Sequence, residues 1–272
     1  MLRYPVLLGL VLLMTSGCAD AGAGCFIPET VLPKREAVMT RVDNGQAGRD
    51  LMAAVFDGDT ATVGAMLARD PRLRNTQGGV LGDLLSVAIA RCDKPMLTRL
   101  LASGVPADGP PANEPPLTLA LRVTEPWFAE TLLKAGASAN RLTKAGGRPL
   151  DDAIVIGSAG AVRMLIEYGA KLDDRSSTGA TPLQTALDGH RFAIAELLIA
   201  RGADPWAVDN SGGNLGWAVS RPSLAQTAED DAAHARLAAK LPAMGWPSPA
   251  PSPKEVRALV AAGRWPPARA RN

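Results

Sequence analysis

The chain has 272 residues, 47% of them hydrophobic and only 4% aromatic, with a formal net charge of +2. So small a charge, with no basic stripe interleaved with aromatics, argues against a nucleic-acid-binding surface. With two histidines and three cysteines there is no Cys-x-x-Cys or His-x-x-x-His spacing for a metal, no Gly-x-x-x-x-Gly-Lys phosphate loop and no nucleophile elbow, so the sequence predicts no enzyme, cofactor or small-molecule substrate.

The N-terminus begins with a positive charge at Arg3 and an apolar run over 6–14, too short to span a bilayer. It continues Thr15-Ser16-Gly17-Cys18. This run resembles the lipobox of bacterial lipoproteins, whose cysteine is lipidated and becomes the mature N-terminus. Small residues at Ser16 and Gly17 fit the motif, while Thr15 stands where the family prefers Leu. The resemblance implies a signal peptide over 1–17, a lipid on Cys18 and a tether over 18–47. Ala19 after the cysteine implies delivery to the outer membrane, with the chain facing the periplasm. The alternative is an ordinary secretory signal cut after Ala23. No other stretch approaches the roughly 20 apolar residues of a spanning helix, so membrane contact is expected through the lipid alone. In an oxidising compartment Cys25 and Cys92 either form a disulfide that pins the tether to the repeats or remain two free thiols.

From residue 48 onward the chain repeats itself. Leu67, Leu100, Leu132, Leu165 and Leu198 keep a step of about 33 residues, as do Ala88, Ala120, Ala153 and Ala186, and Gly104, Gly136, Gly169 and Gly202. Each unit reads as a short helix, a turn, a longer helix and a polar loop. Pro at the first helical turn presets φ, Thr181 with Gln184 forms a capping-box pattern, and the Gly after each Leu stripe suits a left-handed C-terminal cap. A unit this small cannot bury a core alone, so the units must stack.

The clearest copy reads Thr181-Pro-Leu-Gln-Thr-Ala186, Gly189-His190, Glu196-Leu-Leu198 and Gly202-Ala-Asp204. It resembles the ankyrin-repeat family. The resemblance implies an all-α solenoid of about five stacked helix pairs over 48–245. The family's His after Thr-Pro-Leu is missing from every copy, and Gln184 stands there in the best one, which puts the usual hydrogen bond between repeats in doubt. The last unit is irregular. An insertion of about ten residues is predicted over 221–230, with a second helix over 231–241. Residues 246–272 read as a Pro-rich connector, a lone helix near 256–263 that either docks or stays solvated, and a disordered tail.

His190, at the Gly-His turn, is predicted to be structural, and His234 to lie on a solvated helix face. The pairs Asp151-Asp152 and Asp173-Asp174 read as solubilising charge, since adjacent carboxylates do not face each other for acid–base work. What remains is binding. Loops of a solenoid are its usual contact surface, and here they carry Arg141, Lys144, Asp174, Arg175, Trp206 and Asp209 as the predicted partner-binding residues. Trp206 stands where other repeats have Ala139 and Leu172, and Trp is enriched at interface hot spots; the alternative is that it packs over the next repeat. The function expected is a lipid-anchored envelope protein that binds another protein, in its sharper form an inhibitor or immunity protein of a secreted toxin or enzyme. The alternative is a structural support factor for a periplasmic enzyme, for example in oxidative-stress defence.

Overall fold

Helices of seven or eight residues are unstable in water by themselves, so these repeats become helical only by packing on one another. The computed structural model describes residues 34–79 and 82–267, and these are helical with no strand among them. A short α1 (Arg35–Met39) precedes the helix pairs. These are α2 (Gly45–Asp57) with α3 (Thr60–Arg69), α4 (Leu84–Ala90) with α5 (Lys94–Ala102), and α6 (Pro116–Ala120) with α7 (Trp127–Lys134). Then come α8 (Pro149–Ile156) with α9 (Ala159–Glu167), α10 (Pro182–Asp188) with α11 (Phe192–Ala200), and α12 (Leu215–Val219) with α13 (Ala228–Lys240). A final helix, α14 (Pro253–Ala261), follows. The described residues thus hold six pairs, against an expected count of about five, because the pair at each end departs from the repeat pattern. The predicted signal peptide, Cys18, Cys25 and the tail beyond 267 lie outside the described residues.

The register leucines form the spine of the core. Leu67, Leu100, Leu132, Leu165 and Leu198 are all fully buried, and the small Ala88, Ala120, Ala153 and Ala186 are buried on the short helices. Each leucine so placed contributes roughly 1.5–3 kcal/mol of apolar burial. Successive short helices pack directly, α4 on α6, α6 on α8, and α8 on α10, and alanine at the crossing is what lets them approach.

Capping side chains start the helices. Asp59, Asp83, Asp93 and Ser158 each accept a backbone N–H in the first turn of the helix they precede. The predicted box at α10 closes, the Thr181 N–H donating to Gln184 Oε1 at 2.8 Å. Gln184 also donates from Nε2 to the Ala207 carbonyl in the next loop at 2.5 Å. The side chain that replaces the family's histidine therefore makes a hydrogen bond between repeats after all.

The last pair explains its own irregularity. The second residue of α4, α6, α8 and α10 is Leu85, Leu117, Leu150 and Leu183, all buried. In α12 it is Gly216, where a Cβ would lie 2.4 Å from a ring carbon of Trp246. An indole supplied from beyond α13 fills the space that leucine fills elsewhere. Trp246 stacks on Trp206 with centroids 4.2 Å apart and planes 6° from parallel, and Trp265 meets both rings edge-on at 5.6 and 5.5 Å. The Trp265 indole N–H donates to the Trp206 carbonyl at 2.9 Å, and Val256 of α14 is fully buried. The lone C-terminal helix docks, and the Pro-rich stretch carries it back onto the repeats.

Two further boundaries differ from expectation for local reasons. α13 begins at Ala228, three residues before the predicted start, because Thr227 caps it and Glu229, Asp230 and Asp231 sit favourably in its first turn. Asp230 also accepts the Ala193 N–H at 2.9 Å. It thereby caps α11, whose own N-cap residue Arg191 makes no capping side-chain bond.

Candidate protein-binding face

The loops are tied to one another in a ladder. Asp108 accepts the Ser138 N–H, Asn140 the Lys171 N–H, and Asp173 the Asp204 N–H, each at 2.9 Å. Arginines add a second set of ties. The Arg141 guanidinium donates to the Asp108 carbonyl, and to the Pro110 carbonyl at 2.8 Å. Arg148 pairs with Asp151 at 2.6 Å and also donates to the Asp174 carbonyl. Arg175 donates to the carbonyls of Gly179 at 2.7 Å and Val208 at 2.5 Å. A planar, fixed fork of donors suits this work better than an ammonium does.

The predicted partner-binding residues therefore separate. Arg141 and Arg175 staple neighbouring loops, and Asp209 shapes its own loop by accepting the Ser211 and Gly213 N–H groups at 2.8 Å. Lys144 and Asp174 remain exposed; the Asp174 carboxylate lies 3.6 Å from Lys171, an exposed pair of little energetic weight. Of the two readings of Trp206, the packed one fits: it is a core residue, 8% exposed, because the C-terminal indoles cover it. That covering segment lies some forty residues on in sequence, and its irregular spacing concealed the contact.

Four of the pairs turn through a left-handed residue, Gly58, Cys92, Gly157 and His190. A side chain there costs on the order of 1 kcal/mol, so Cys92 and His190 invite explanation. Cys92 is disulfide-bonded, while Cys25, its predicted partner, lies outside the described residues. The His190 ring tilts against Phe192 at 5.9 Å, and His234 meets the same ring edge-on at 4.7 Å. His234 is thus half-buried, where a solvated face was expected. Likewise Asp151 and Asp173 have specific partners, so only part of those acidic pairs is solubilising charge.

The expected binding residues all lie on loops; the concave face made by the short helices is the alternative contact surface of such a stack. Two grooves open there. The first, about 390 Å³, lies between α6 and α8 and is lined by Thr118, Leu119, Arg122 and Asp152, with Glu114 and Thr143 at its side. Thr118 Oγ1 and Asp152 Oδ2 are buried in it without a hydrogen-bond partner among the described residues. Burial raises the Asp152 carboxyl above its ordinary value; Arg122 opposes the shift, and Asp151 and Glu114 add to it. The second, about 480 Å³, lies between α10 and α12 and is lined by Asp188, His190, Trp217, Arg221 and Leu224. Burial also raises Asp188, and Asp209 adds to the shift. Beside them Val155 and Ile156 of α8 stand open to solvent, Val155 68% exposed. The signal for this face was present, since α8 ends in four residues, Ala153 to Ile156, of which a packed helix needs only half.

A carboxyl whose folded pKa is raised destabilises the fold where it is ionised. The stability associated with its neutral form is full below the unfolded value of about 3.9 and is lost as pH rises through the raised folded value. Asp152→Asn should therefore raise the urea midpoint at neutral pH, and the advantage should vanish below about pH 4. Equal gains at both pH values would show that the carboxylate is not strained by burial.

The family model for the ankyrin repeat matches residues 178–210. Among curated proteins the chain is 29% identical over 178 residues to neurogenic locus notch homolog protein 4 of Homo sapiens, covering 64% of this chain and 8% of that one. It is 35% identical over 75 residues to protein phosphatase 1 regulatory subunit 27 of Mus musculus, covering 28% of this chain and 49% of that one. It is 30% identical over 117 residues to the putative palmitoyltransferase ZDHHC13 of Danio rerio, covering 42% of this chain and 18% of that one. The chain spans less than half the length of each of these relatives. Stacked helix pairs, their loop ladder and the family match over 178–210 agree on an all-α ankyrin-repeat fold, and ankyrin repeats are a protein-interaction module.

Proposed function

We propose that this is a lipid-anchored envelope protein that holds another protein against the short-helix face of its repeats, in the manner of an inhibitor or immunity protein. The observation that carries the binding role is the face itself. Val155 and Ile156 stand exposed on α8, the helix that also lends Asp152 to the first groove, and carboxylates are kept in both grooves against desolvation, a cost to the fold that a bound partner would offset. Lys144 and Asp174, left exposed on the loops, form the rim of the same contact. No described helix is long and apolar enough to cross a membrane, and the anchor assigned is the lipid on Cys18. The disulfide at Cys92 supports an oxidising compartment, with Cys25 as the proposed bonding partner.

Cys18→Ser tests the anchor. Wild-type protein should partition into the detergent phase of a cloud-point extraction, and the variant should move to the aqueous phase or remain unprocessed. A wild-type chain that begins at Gly24 and carries no lipid would overturn the anchor and leave the binding role standing.

A further inference from the structure

The groove between α10 and α12 differs from its counterpart between α6 and α8 in having an aromatic wall. Trp217 is half-buried in it. The segment 220–227, which the other repeats lack, closes one side and carries Arg221, Pro222 and the 70% exposed Leu224. At the mouth Asp188 reaches solvent. The charges that act on Asp188 are Asp209, which is of like sign, and His190. His190 Nδ1 is buried without a hydrogen-bond partner among the described residues.

One cation already visits this wall. The Arg221 guanidinium carbon lies 5.7 Å from the centre of the Trp217 ring, within the range at which a cation is drawn to an indole face. We propose that this groove is a receptor for an arginine or lysine side chain of the protein partner, and that Arg221 is its resident competitor. The incoming cation would lie on the Trp217 face and meet Asp188, while its stem would cover Leu224. Charge complementarity chooses the occupant. The groove offers a π face and an acidic mouth, and the groove between α6 and α8 holds a second carboxylate, Asp152, whose Oδ2 has no hydrogen-bond partner among the described residues. A basic segment of a protein fits both. The inference rests on the reading of the short-helix face as the partner surface.

The test uses the full chain in detergent and four capped tripeptides that differ in the central residue: arginine, lysine, citrulline or glutamate. The readout is the Trp217 indole N–H resonance, identified with Trp217→Phe. The arginine and lysine peptides should move this resonance, and citrulline, which keeps the shape and loses the charge, should not. Asp188→Asn should weaken the arginine peptide by about tenfold. Arg221→Ala should tighten it, because the competitor is gone. Both substitutions lie at exposed positions, so loss of folding does not confound them. Equal binding of arginine and citrulline peptides, or weaker binding in Arg221→Ala, would overturn the proposal. So would free tetramethylammonium binding as tightly as the peptides, which would make this a small-cation site. If no peptide moves the resonance while a partner still cross-links to the short-helix face, the cation receptor fails and the binding role survives.

Discussion

Trp206→Ala should lower stability by about 3–5 kcal/mol, the range for removing a large buried aromatic. Trp206 lies between α11 and α12, stacked on Trp246 and capped edge-on by Trp265. Its removal leaves both partners without a face to pack on. In a solenoid each repeat is held by its neighbours, so the damage should begin at the C-terminal end, and amide exchange over 206–265 should accelerate before that over α4–α6. Loss of the near-ultraviolet dichroism of the stacked indoles should accompany the fall in urea midpoint. An unchanged midpoint would return Trp206 to the surface and revive it as a partner anchor.

Gly216→Leu should also destabilise, by about 1–3 kcal/mol or more, although it restores the residue found at the same place in four other repeats. Restoring a repeat's consensus usually stabilises. Here a Cβ alone would come within 2.4 Å of Trp246 and 3.1 Å of the Ala250 Cβ. The leucine would have to expel the indole, and with it the whole docked segment through α14. Gly216→Leu combined with Trp246→Ala should recover part of the loss, since the leucine then fills the space the indole vacates. A fully additive pair would mean that the two side chains do not share that space.

The middle of the fold was legible because its signals are local. The leucine and alanine steps fix helix pairing, and the caps fix starts. The ends were less legible because their partners are distant in sequence. Gly216 reads as a defect until Trp246 is seen against it, and Trp206 reads as a projecting anchor until Trp265 covers it. The loop arginines misled in a different way. Charge on a loop reads as a binding surface, but Arg141 and Arg175 spend their donors on carbonyls of neighbouring loops. Gln184 went the other way, since a side chain that breaks the family pattern still reaches the Ala207 carbonyl. The apolar end of α8, Ala153 to Ile156, was legible as a mark of the short-helix face, whereas the buried Asp152 oxygen without a partner appears only once the helices are placed.

The central claim is that the partner lies against the short helices. A photo-reactive phenylalanine analogue introduced in place of Val155 on α8, or in place of exposed Arg163 on α9, compares the two faces in living cells. The account predicts one discrete cross-linked species from Val155, the same protein by mass spectrometry in repeated preparations, and none from Arg163. A species from Arg163 with none from Val155 would place the partner on the longer helices and contradict it.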